Sequence, residues 1–182
     1  MRAWLSAVAL CALGGVAAAG CLGESGCPKF AHIVAGDFER TGDALSWTLE
    51  VEEIPSELTF NQADVPGNFL EYRWAVDVDS DRDGAADLRA SVEHFAMVAG
   101  AQVTTTDILS QTNHNLLEVM GGLATVVGTI DASITGNTFR FETTTAASSG
   151  LAAVTEPGQS TWTTSYRFGA ELEEQCDEAF RR

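Results

Sequence analysis

Five aspartates fall within eleven residues, Asp77-Val78-Asp79-Ser80-Asp81-Arg82-Asp83-Gly84-Ala85-Ala86-Asp87, and only Arg82 offsets them. Carboxylates alternating along a turning loop converge on one point, and a hard dication such as Ca²⁺ takes about six to eight oxygens at roughly 2.3–2.6 Å. The spacing places Asp79, Asp81 and Asp83 at loop positions one, three and five, Gly84 at the sharp turn, the Ala85 carbonyl next, and Asp87 at position nine. Asp77, just upstream, or else a carboxylate distant in sequence is left to complete the shell. The predicted ligand set is therefore Asp77, Asp79, Asp81, Asp83, Ala85 and Asp87, and the predicted cofactor is a structural Ca²⁺. The alternative is an acidic, solvated turn that binds nothing in particular.

The segment resembles the D-x-D-x-D-G-x-x-D-L loops of FG-GAP and thrombospondin type 3 calcium-binding repeats, with Leu88 closing the pattern. It departs from an EF-hand in two respects. Ala90 stands where a bidentate Glu belongs, and the flanks Leu70–Val78 and Leu88–Phe95 alternate as strands rather than helices. This resemblance implies an ion that stiffens a strand-to-strand connection.

Cysteine chemistry comes next. Arg2 is followed by an uncharged apolar run from Trp4 to Ala19 and by Ala18-Ala19-Gly20-Cys21, the three-part layout of an export signal. The run is short of the roughly 20 apolar residues that span a bilayer. Ala18-Ala19-Gly20-Cys21 resembles the lipobox of bacterial lipoproteins, which implies cleavage before Cys21, acylation of its thiol by chains such as palmitate, and membrane attachment. Leu22, rather than Asp, follows the cysteine, and by the same resemblance the expected location is the outer membrane. Cys11 leaves with the signal, so Cys27 and Cys176 remain. In an oxidising envelope they are predicted to pair as one disulfide, with two unpaired buried thiols as the alternative. The three histidines, His32, His94 and His114, lack zinc-ligand spacing.

Charge narrows the partners. Removing residues 1–20 deletes Arg2 and no acid, so the formal net charge moves from −16 to −17. Such a surface repels phosphate backbones, and nucleic acid is not an expected partner. The chain has no G-x-S-x-G elbow, H-E-x-x-H pair or phosphate-cradling glycine loop. Ser148-Ser149-Gly150 reads as a loop, Glu52-Glu53 as solvated charge near a strand end, and His94 as a hydrogen-bonded, partly buried side chain. Trp47, Trp74, Trp162 and Tyr166 share the parity of apolar strand faces and are read as core, with a sugar-binding platform as the alternative.

The elements that position these residues are mostly strands. Leu45, Trp47, Leu49 and Val51 recur with period two, as do Leu70, Tyr72, Trp74, Val76 and Val78, and later Trp162, Tyr166 and Phe168. A Gly136-Asn137 turn sets Ile134 opposite Phe139 and Ala132 opposite Phe141. A Gly42-Asp43 turn sets Phe38 opposite Trp47 and Val34 opposite Val51. Asp107 to Met120 reads equally as helix or as strand and loop. Leu172, Cys176 and Phe180 recur every four residues, with acids before and arginines after, which predicts a short C-terminal helix.

The expected architecture is all-β: a two-sheet antiparallel β-sandwich, jelly-roll or Ig-like, with a short C-terminal helix. The expected organisation is a signal peptide over 1–20, a lipidated tether over 21–31, a sandwich over 32–168 and the helix over 169–182. The feature order resembles β-sandwich modules of the DOMON and carbohydrate-binding type. That implies a non-enzymatic, calcium-stabilised binding or accessory lipoprotein with a glycan as a candidate ligand. The alternative is a structural envelope lipoprotein acting through a protein partner.

Overall fold

Alternating apolar residues can bury only one side of a strand, so the chain closes as layers of sheet around one core. The computed structural model describes residues 27–60, 70–95, 102–169 and 173–181. The predicted signal peptide and Cys21 lie outside them. Twelve strands follow in chain order: β1 Ile33–Thr41, β2 Ala44–Val51, β3 Leu58–Phe60, β4 Leu70–Val78, β5 Leu88–His94, β6 Val103–Thr105, β7 Asn113–Met120, β8 Leu123–Thr129, β9 Asp131–Thr135, β10 Thr138–Thr144, β11 Ser160–Phe168 and β12 Glu173–Arg181. They form a four-stranded sheet ordered β1-β2-β10-β9, a six-stranded sheet ordered β12-β11-β4-β5-β7-β8, and a small β3-β6 pair. Every pairing is antiparallel.

The hairpin registers follow from the turns. Ile134 lies opposite Phe139 and Ala132 opposite Phe141, and Phe38 lies opposite Trp47. β2 then pairs with β10, so Trp47 faces Phe141 and Leu49 faces Phe139 across the central ladder. The Val34–Val51 pairing does not form. Ile33 takes the place opposite Val51, a bulge follows before Ala35, and Val34 is exposed. One extra residue inverts the facing of the strand beyond it, which lets Ile33 enter the core.

Two other expectations change. The C-terminal helix is a strand: β12 pairs with β11, setting Cys176 opposite Tyr166 and Phe180 opposite Trp162. A spacing of four residues keeps a strand on the same face as surely as it keeps a helix stripe, and the open edge of β11 settles the choice. Leu172, the first residue of that predicted stripe, lies outside the described residues. The ambiguous segment resolves into a 3₁₀ turn, Ile108–Gln111, capped by Asp107, and then strand β7. The predicted tether also contributes to the fold. Cys27, Phe30 and Ala31 are buried, so the domain begins ahead of residue 32.

The core is aromatic. Trp47, Trp74 and Trp162 are essentially inaccessible, together with Phe30, Phe60, Phe139 and Phe141. Trp74 of β4 stacks on Phe139 of β10 at 4.7 Å and joins the two sheets. Each buried indole N–H that donates finds an acceptor: Trp74 Nε1 donates to the Phe30 carbonyl at 2.7 Å, and Trp47 Nε1 to Ser160 Oγ at 3.0 Å. Trp162 instead lies flat against Gly36 of β1, where a Cβ would stand 2.3 Å from its ring. A Gly36→Ala variant is therefore expected to lose about 1–3 kcal/mol through overpacking, read as a fall in melting temperature with a perturbed near-ultraviolet tryptophan signal.

Candidate functional site

The aspartate loop joins β4 to β5, as the alternation on either side predicts. Its ends are pinned by backbone bonds: Asp87 N–H donates to the Val78 carbonyl at 2.8 Å, and Asp79 N–H to the Gln159 carbonyl at 2.9 Å. Inside it, side chains hold the turn. Asp79 Oδ2 accepts from Gly84 N–H at 2.9 Å, and Asp79 Oδ1 and Asp81 Oδ1 each accept from Asp83 N–H at 3.1 Å. Two residues have positive φ, Arg82 at 64° and Gly84 at 95°. At Gly84 the absence of a Cβ makes this conformation cheap. Arg82 forms an ion pair with Glu156 at 2.8 Å, and among the described residues no ion pair joins Asp79, Asp81 or Asp87 to a basic side chain.

The structure brings together three of the predicted ligands. Carboxylate oxygens of Asp79, Asp81 and Asp87 lie within 4.8 Å of one another. Asp77 is engaged elsewhere: on β4 it forms a two-pronged ion pair with Arg89 of β5, its cross-strand neighbour. Asp83 accepts from Ala85 N–H at 2.8 Å through Oδ1. It stands outside the trio, and Ala85 serves as its donor. The donor set is all oxygen, which suits Ca²⁺ rather than a softer metal. Three carboxylates form a partial shell for such an ion, with loop carbonyls and solvent left to supply the remainder.

Asp87 has the most constrained carboxylate. Its Oδ2 accepts from Ser80 Oγ at 2.6 Å and Ser80 N–H at 2.8 Å. The Ser80 side-chain bond, supported by backbone donors, holds its carboxyl below the usual Asp range. An open cleft of about 300 Å³ beside it is lined by Asp87, Leu88, Glu118, Met120 and Gly150.

Gln159 is a loop support that carries no sequence signal. Only 3% exposed, it donates through Nε2 to the carbonyls of Ala153, Ser80 and Asp79 at 3.1–3.4 Å. A lone glutamine after Pro157-Gly158 looks like any turn residue, and its role exists only through contacts some eighty residues away.

The other candidates are accounted for by packing and pairing. Cys27 and Cys176 are bonded, with Cα atoms 5.3 Å apart. His94 is buried, its Nδ1 3.0 Å from the Gln111 carbonyl and its ring edge-on to Phe60. Lys29 bridges Glu52 and Glu53 at 3.4 and 3.0 Å. Trp47, Trp74, Trp162 and Tyr166 are all buried, so none forms an exposed platform. Among the described residues no helix is long and apolar enough to cross a membrane. No protein-family model matches the chain, and neither a curated protein nor a solved structure does.

Proposed function

We propose that this chain is a non-enzymatic binding or accessory lipoprotein of the outer membrane, anchored through acylated Cys21 and stiffened by Ca²⁺ in the β4–β5 loop. The convergence of carboxylate oxygens of Asp79, Asp81 and Asp87 within 4.8 Å of one another carries the metal part of the reading. Asp79, Asp81 and Asp87 would hold the ion, whose role is to neutralise the cluster and fix the turn. The burial of His94 and its contact with the Gln111 carbonyl support a role without catalysis.

Protein contact is the favoured mode of action. The large aromatics are committed to the core, whereas four of the seven large hydrophobic residues exposed among those described, Met120, Leu123, Val126 and Val127, gather on the β7–β8 hairpin. A glycan is the second reading, supported by the half-buried polar residues Arg73, Asp77, Arg89 and Asn115, which occupy neighbouring register positions on the six-stranded sheet around buried Glu93. Uniform silence on a glycan array would remove it.

Calcium is tested by thermal melts with EGTA and with millimolar Ca²⁺. An extracellular-type loop of Kd about 10⁻⁴ M gains about 1.5 kcal/mol at millimolar ion, or about 3–6 °C for a domain of this size. In Asp81→Asn, which removes one charge and leaves an oxygen for Asp83 N–H, the shift is expected to shrink or vanish. Identical melts with and without chelator would reduce the loop to an acidic turn.

A further inference from the structure

The two large sheets end in four edge strands: β1, β9, β12 and β8. Three carry the charges that keep edges from pairing with other chains. β1 has Asp37, Glu39 and Arg40; β9 has Asp131; and β12 has Glu173, Glu174, Asp177, Glu178 and Arg181. The fourth, Leu-Ala-Thr-Val-Val-Gly-Thr, has neither charge nor proline. It is also bare, with Leu123 77%, Val126 57% and Val127 40% exposed, and Met120 at 75% beside its start. Among the described residues no strand lies beyond its outer backbone donors and acceptors.

We infer that β8 is an association edge and that its occupant is β8 of a second copy, running antiparallel about a two-fold axis between Ala124 and Thr125. The inference deepens the protein-contact reading and rests on it. Charge selects the occupant. A basic partner is drawn to the carboxylate-bearing edges and the aspartate loop, and β8 offers it nothing. A chain of formal net charge −16 repels its own copy most strongly at the acid-rich β1 and β12 edges, and β8 is the one large-sheet edge strand among the described residues with no carboxylate at all. An antiparallel two-fold is self-complementary by construction, and over Leu123–Val126 it places Leu123 against Val126 and Ala124 against Thr125. The β7–β8 register steps past Val127, so the straight pairing segment is Leu123–Val126. The contact is therefore short, and the dimer is expected to be weak and to tighten with salt as repulsion between acidic bodies is screened.

Sedimentation equilibrium of the full chain in mild detergent, with solvent density matched to the detergent, tests this over a concentration series at low and high NaCl. The expected result is a protein mass that doubles with concentration, at lower concentration in high salt. Leu123→Lys and Val126→Lys, both at exposed positions, should each hold the chain at monomer mass with an unchanged melting temperature. Ala179→Lys on the β12 edge should dimerise like the parent. A parent that stays monomeric throughout, a mass that climbs past the dimer, or an Ala179→Lys variant that dissociates equally would overturn the proposal. A monomeric parent would leave the wider protein-contact reading standing with a different partner, and a pull-down that also failed on β8 substitution would be needed to support it.

Discussion

Replacing Cys27 and Cys176 together by alanine is expected to cost about 5 kcal/mol of stability. The bond closes a loop with a sequence separation of 149 residues, and the chain-entropy relation gives about 5 kcal/mol for a loop of that size. Domains of this kind have only about 5–15 kcal/mol in total. The melting temperature should therefore fall by about 10–20 °C, and dithiothreitol should reproduce the fall in the parent chain but leave the double variant unchanged. Both sulfurs are buried, Cys27 7% and Cys176 5% exposed, so reduction should be slow until the strand carrying Cys176 opens. Equal melts for the parent and the double variant would show that the unfolded chain is already confined by other means.

Trp74→Ala should be nearly as damaging, at about 3–5 kcal/mol. Its indole is 1% exposed, stacks on Phe139 across the sheets and lies parallel to Tyr72 at 5.7 Å. Its N–H also satisfies the Phe30 carbonyl in the segment that leads to Cys27. Trp74→Phe separates the two contributions: it keeps most of the ring stack and loses the hydrogen bond, for about 1–3 kcal/mol. Urea unfolding would resolve them as displaced midpoints at a common slope. A Trp74→Phe variant as unstable as Trp74→Ala would place the main effect in the hydrogen bond to the N-terminal segment.

The parts of this fold readable in the sequence are those fixed by local geometry. Gly136-Asn137 and Gly42-Asp43 set strand register because a two-residue turn leaves no freedom to slip, and the Trp47 and Trp74 faces alternate too regularly to belong to helices. The failures share a cause. Period four at Cys176 and Phe180 satisfies a helix stripe and a strand face alike, and the vacant edge beside β11 that decides between them is a tertiary feature. Val34 was assigned inward because a bulge leaves no mark in composition. In the aspartate loop, spacing was enough to bring Asp79, Asp81 and Asp87 together. It could not show that Asp77 would turn to Arg89, a partner defined by cross-strand register rather than by sequence proximity, nor that Gln159 would hold the loop from the far side.

The Cys27–Cys176 bond ties the first described residue to the last strand, so nearly all of the described residues lie within one ring. A protease that nicks any exposed turn between them opens that ring without releasing a fragment, and the pieces travel together on a non-reducing gel and part only when thiol is added. Under the proposed anchoring at Cys21, damage in a loop would not shed the domain.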